Sequence, residues 1–137
     1  MEVVRVGLPI AFGRPLFLKC YEKSHSQLLL CVGPEREKPT RLEVLFKDVV
    51  YIGLREKTPN ASLRFASGDE KALIQSTVAP FNWRGRRAFL FGPSLAEGIV
   101  IARGVVWAED SRAFGEPSSL MTGLYEPEPE RAFGAVE

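Results

Sequence analysis

Short apolar runs that alternate at period two, each closed by glycine, proline or asparagine, restrict this chain to a fold of many short strands. In Leu16–Lys23 one face carries Leu16, Leu18 and Cys20, and the other carries Phe17, Lys19, Tyr21 and Lys23. Gln27–Val32 is continuously apolar, the pattern of a strand covered on both sides. Arg41–Phe46 directs Leu42, Val44 and Phe46 inward and Arg41, Glu43 and Leu45 outward. Val49–Leu54, Ser62–Phe65, Arg87–Phe91 and Gly98–Trp107 complete the set. Gly33-Pro34, Pro39, Thr58-Pro59-Asn60, Gly68-Asp69, Pro80, Gly85 and Gly92-Pro93 separate the runs.

An all-β domain follows, a sandwich or small barrel of antiparallel strands with at most one short helix. That helix is expected at Asp69–Val78, although Ala72-Leu73-Ile74 followed by β-branched residues also suits a strand. Leu42, Val44, Phe46, Leu63, Phe65, Phe89, Phe91, Ile99, Ile101 and Trp107 are expected to share one core.

Charge divides the chain in two. From Glu109 to Glu137 there are seven acids and two bases, which leaves sixteen bases against ten acids in residues 1–108. A near-neutral total thus conceals a basic body, 1–108, and an acidic, proline-containing tail, 109–137, an arrangement that points to interactions. Glu126-Pro127-Glu128-Pro129-Glu130 favours extended, solvated backbone, whereas Leu120–Tyr125 is apolar enough to lie on a surface. The tail is therefore expected to be extended, partly docked or flexible. It carries Arg-Ala-Phe-Gly twice, at Arg112–Gly115 and Arg131–Gly134. Arg112, Phe114, Arg131 and Phe133 have the composition of a peptide anchor.

With 137 residues, 45% apolar and 26% charged, the chain has the make-up of one soluble domain able to bury a core. Nothing approaches the ~20 apolar residues of a membrane helix. Val6–Gly13 lacks a signal-peptide layout, so a cytoplasmic protein without membrane attachment is expected.

Catalytic signatures fail on inspection. The sole histidine, His25, falls at an expected hairpin tip between Ser24 and Ser26, a wet position that preorganises no base. A zinc site from Cys20, His25 and Cys31 fails on reach, because five residues of strand span roughly 16 Å. Glu43, Asp48, Asp69, Glu70 and Glu97 belong to no motif that fixes a carboxylate pair. Gly92–Gly98 lacks the lysine and hydroxyl residue of a phosphate-binding loop. Neither an enzyme, a metal nor a cofactor is expected. Cys20 and Cys31 would lie opposite one another if His25-Ser26 formed a two-residue turn, but no glycine or asparagine enforces that register. Two reduced thiols are the expectation.

One cluster remains. Phe81, Trp83, Arg84, Arg86 and Arg87 place three guanidinium groups and two aromatic rings within seven residues, with Gly85 permitting close approach. Such a cluster suits an acidic protein, a nucleic acid or the chain's own tail. The reading drawn from the sequence is a non-catalytic binding or assembly protein that engages another protein in an inhibitor, immunity-type or adaptor role. The alternative is a nucleic-acid-binding β-barrel whose acidic tail masks the arginines. A homo-oligomer is compatible with either.

Overall fold

In a computed structural model the chain is described over residues 8–78, 83–118 and 120–121, with the backbone of a further strand at 132–136. The alternating runs become β1 (Ile10–Ala11), β2 (Leu16–Glu22), β3 (Gln27–Val32), β4 (Arg41–Lys47), β5 (Tyr51–Gly53), β6 (Lys57–Thr58) and β7 (Ser62–Phe65). Helix α1 (Gly68–Thr77) follows, then β8 (Arg87–Leu90), β9 (Ile99–Ala102), β10 (Gly104–Asp110) and β11 (Ala132–Val136). Pairing is antiparallel throughout, in a five-stranded sheet ordered β1-β7-β8-β9-β5 and a six-stranded sheet ordered β11-β10-β4-β3-β2-β6. The expected mostly-β fold with one helix is the observed one.

The sheets enclose a core to which Leu28, Leu30, Val44, Phe46, Val105 and Trp107 contribute from one side and Leu63, Phe89, Val100 and Ala102 from the other. Phe46 meets Phe89 edge-on across the interface, with ring centroids 5.3 Å apart. Eight of the ten expected core residues lie in or against this cluster. Ile99 and Ile101 do not: β9 turns Val100 and Ala102 into it and directs Ile101 into a second cluster beneath α1. Ile-Val-Ile-Ala is apolar on both faces, so alternation carried no phase there.

Helix α1 starts because Ser67 and Glu70 form a reciprocal capping box. The Glu70 amide donates to Ser67 Oγ (3.2 Å) and the Ser67 amide to Glu70 Oε1 (2.9 Å). The helix buries Ile74 completely against Ala88, Leu90 and Ile101, covering the outer face of the five-stranded sheet.

Cys20 and Cys31 are not opposite one another. A register shift between Leu18 and Cys20 sets Cys31 opposite Phe17 and Cys20 opposite Leu29. The β2–β3 tip is a 3₁₀ turn at Lys23–His25, closed by Ser26 in the left-handed conformation (φ 52°). Both thiols are free, Cys31 buried and Cys20 exposed.

The largest departure from the sequence reading is on β4. Arg41, Glu43 and Leu45, expected to face outward, are buried like the inward Val44 and Phe46, while inward Leu42 is half-buried. Strand β10 runs past residue 108 to Asp110, and the chain then turns over this face. Arg41 donates to the carbonyls of Ala113 (3.3 Å), Glu116 (2.7 Å) and Pro117 (3.3 Å). Phe114 packs edge-on to Phe17, and a β-carbon at Gly33 would stand 3.2 Å from its ring, so that position favours glycine. Beyond, β11 pairs with β10 from Val105↔Val136 to Glu109↔Ala132.

Candidate functional site

Strands β7 and β8 pair at Phe65↔Phe89, and α1 together with the turn ahead of β8 fills the connection between them. In that turn Arg84 (φ 27°) and Gly85 (φ 77°) take the left-handed conformation, and the Arg86 amide donates to the Trp83 carbonyl. The reversal brings Arg86 and Arg87 back along α1. Asparagine or glycine suits such geometry far better than arginine, so Arg84 is held at a conformational cost. Its side chain is exposed.

Two cation–π stacks flank the resulting depression. Lys71 Nζ stands 4.7 Å from the Trp83 ring centroid, and Arg87 Cζ stands 5.2 Å from that of Phe65. Between them lies an open pocket of about 220 Å³ lined by Phe65, Ala66, Lys71, Arg86, Arg87 and Ala88. Arg86 is fixed from behind by Asp48, which accepts from Arg86 Nη2 (2.9 Å) and from Arg103 Nε (2.8 Å). Those two hydrogen bonds, Arg86's first, hold the Asp48 carboxyl below its ordinary pKa.

Asp48 serves two arginines, and among the described residues no carboxylate lies within ion-pairing distance (4.0 Å) of Lys71, Arg84 or Arg87. Of the two acids on α1, Glu70 is tied to Arg64 through two hydrogen bonds (2.6 and 2.8 Å). Cation–π stacking orients a cation without neutralising it, leaving donors and field available to an anion.

A second charged cluster is closed to ligands. At the outer face of the six-stranded sheet, Arg41 forms a bidentate pair with Asp110 and lies 3.4 Å from Glu43, all three side chains being fully buried. Burial alone would lower the Arg41 pKa, but the Asp110 hydrogen bonds and the charges of Glu43 and Asp110 raise it. Buried Arg14 supports the same end of the sheet, donating to the carbonyls of Gly33, Lys38 and Thr40. What this cluster binds is the chain's own segment 113–117.

At the β2–β3 tip, Ser24 Oγ donates to Glu22 and lies 3.1 Å from His25 Nδ1. Serine stands between acid and imidazole, whereas nucleophile activation needs the imidazole in the middle. The His25 side chain is 71% exposed. Among the described residues no group of three histidine, cysteine or acidic side chains is placed to hold a metal ion.

Of the residues singled out in the sequence, Arg86 and Arg87 line the pocket and Trp83 is linked to it through the stacked Lys71; Arg84 is exposed in the turn and is not among the lining residues, and Phe81 lies outside the described residues. Arg112 and Phe114 lie on the six-stranded sheet, the opposite layer from α1, where Lys19 Nζ donates to the Phe114 carbonyl (2.9 Å) and stands over its ring. Arg131 and the side chain of Phe133 lie outside the described residues, as do Leu124, Tyr125, Glu126, Glu128 and Glu130. Sequence reasoning missed Phe65, Ala66, Lys71 and Ala88. Ser67-x-x-Glu70 was the available signal, since a capping box fixes the helix start and with it the position of Lys71.

No helix among the described residues is long and apolar enough to cross a membrane. Comparison with protein-family models, with curated proteins and with solved structures found no match.

Proposed function

We propose that this protein is a non-catalytic binding domain that engages an acidic protein partner through the groove between α1 and the start of β8. One observation carries the reading: Lys71 and Arg87 are stacked on Trp83 and Phe65 around one pocket with no carboxylate partner among the described residues. A merely solvated surface needs no such orientation, and unpaired cations held in place cost less to order on binding. An inhibitor, immunity-type or adaptor role would use such a face. Nucleic acid is the competing ligand class. Base stacking, however, needs open aromatic faces, and here each ring already has a cation over one face.

The anchors of the tail bear on its relation to the groove. Residues 112–118 and strand β11 attach to the six-stranded sheet, on the far side of the core from α1. On this reading the acidic partner is a separate molecule.

The experiment is a comparison of polyglutamate and oligothymidylate binding to the full chain across a salt series. The reading predicts saturable polyglutamate binding that weakens with salt and with Lys71→Gln/Arg87→Gln. Oligothymidylate binding that survives at physiological salt where polyglutamate is released would transfer the site to nucleic acid.

A further inference from the structure

We infer that Arg84, at the tip of the turn ahead of β8, is the anchor that takes a carboxylate of the acidic partner. The inference rests on the proposed binding role and names the residue that fixes the partner.

Backbone strain is the first argument. In the turn Trp83–Arg86 both central residues have positive φ, 27° at Arg84 and 77° at Gly85, and the Arg86 amide closes the turn onto the Trp83 carbonyl. Positive φ at both central positions is the signature of a type I′ turn, where glycine, asparagine and aspartate dominate. Gly85 follows that rule and Arg84 breaks it. Strain of this kind persists where the side chain has a use.

The second argument is that the fold makes no such use of it. The Arg84 side chain is exposed, and among the described residues no carboxylate lies within 4.0 Å of its guanidinium. Other arginines of this region differ: Arg64 is tied to Glu70, and Arg86 and Arg103 are tied to Asp48. The strain at Arg84 is therefore offset by a contact outside the chain.

Presentation is the third argument, because the turn is clamped on both sides. Trp83 packs against the cluster beneath α1, with Lys71 Nζ 4.7 Å from its ring centroid. Arg103 Nη1 stands 3.0 Å from where a β-carbon on Gly85 would lie, and Arg103 Nε is fixed by Asp48 (2.8 Å). A guanidinium on a clamped tip offers its planar fork for bidentate contact with a carboxylate at a small ordering cost.

The test measures melting temperature and polyglutamate affinity for the full chain carrying Arg84→Asn, Arg84→Lys or Arg36→Asn. The last removes one charge from an exposed position in the β3–β4 loop. Arg84→Asn should raise the melting temperature by roughly 2–4 °C, since asparagine accepts the left-handed backbone, and weaken polyglutamate binding about fivefold. Arg84→Lys keeps the charge without the fork, and should lose about twofold in affinity at an unchanged melting temperature. Arg36→Asn should weaken binding less than about twofold. Equal weakening by Arg84→Asn and Arg36→Asn, or a melting temperature that Arg84→Asn does not raise, overturns the inference. The acidic-partner reading then stands if Lys71→Gln/Arg87→Gln still weakens binding. A wild-type chain that does not bind polyglutamate overturns both. Oligothymidylate binding tighter than polyglutamate binding and weakened by Arg84→Asn would give the anchor to a nucleic-acid phosphate, and the inference fails.

Discussion

Arg41 and Asp110, paired in register at the ends of β4 and β10, meet in a fully buried bidentate ion pair with hydrogen bonds of 3.1 and 3.0 Å. The same guanidinium holds the carbonyls of Ala113, Glu116 and Pro117, so one side chain joins two strands to the segment that covers them. Replacing Arg41 with methionine would leave Asp110 and Glu43 buried without their cation. Loss of one partner of a buried pair costs ~3–5 kcal/mol, so Arg41→Met should lower unfolding free energy by that amount in urea titration. Arg64→Met, at a part-exposed pair, should cost ~1 kcal/mol. Equal losses at the two sites would contradict the role assigned to Arg41.

The β4 strand also shows where sequence reading stops. Period two placed Leu42, Val44 and Phe46 inward correctly, because the buried face of a strand is written in the strand itself. That Arg41 and Glu43 are buried as well depends on a segment some seventy residues later in the chain, and no local pattern records it. In the same way β9 is apolar on both faces because α1 covers its outer side, and its phase is set by that packing. The register shift near Lys19, which separates the two cysteines, leaves no mark of its own in the sequence. Half of the groove was legible as an arginine–aromatic run; the other half comes from β7 and α1, brought alongside only by folding.

Core phase is tested by size reduction. Phe46 is wholly buried against Phe89 and Phe91, so Phe46→Ala should cost ~3–5 kcal/mol. Phe65 lies half-buried under Arg87, and Phe65→Ala should cost roughly 1–2 kcal/mol in proportion to the smaller area withdrawn from water. Urea midpoints would show the difference, and a larger loss at Phe65 would contradict the packing.

Glu70 couples stability to acid. The Arg64 hydrogen bonds first, and the Ser67 amide second, hold its carboxyl near pKa about 2, from an ordinary 4.5. A carboxyl with a depressed folded pKa contributes stability that is complete above 4.5 and is lost as pH falls toward 2. Glu70→Gln should therefore lower stability at pH 7 by about 1 kcal/mol and flatten the pH dependence in that window. A wild-type melting temperature that falls no more steeply than that of the variant between pH 4.5 and 2.5 would contradict this.

The thiols should behave unequally. Burial pushes the Cys31 pKa up to about 11, whereas Cys20, also raised chiefly by desolvation, is exposed. A thiol reagent at pH 8 should modify Cys20 alone in the native protein and reach Cys31 only after unfolding. Reductant should leave the melting temperature unchanged. Two thiols modified at one rate, or a fall of many degrees on reduction, would contradict the assignment.

The central claim, an anion-binding face made by α1 and β8, is tested most directly by locating bound polyglutamate through amide chemical shifts on the full chain at low salt. The account predicts shifts confined to residues 65–71 and 83–88, reduced several-fold in affinity by Lys71→Gln/Arg87→Gln. Shifts centred instead on the six-stranded sheet around Lys19 and Arg112, unaffected by that double substitution, would contradict it.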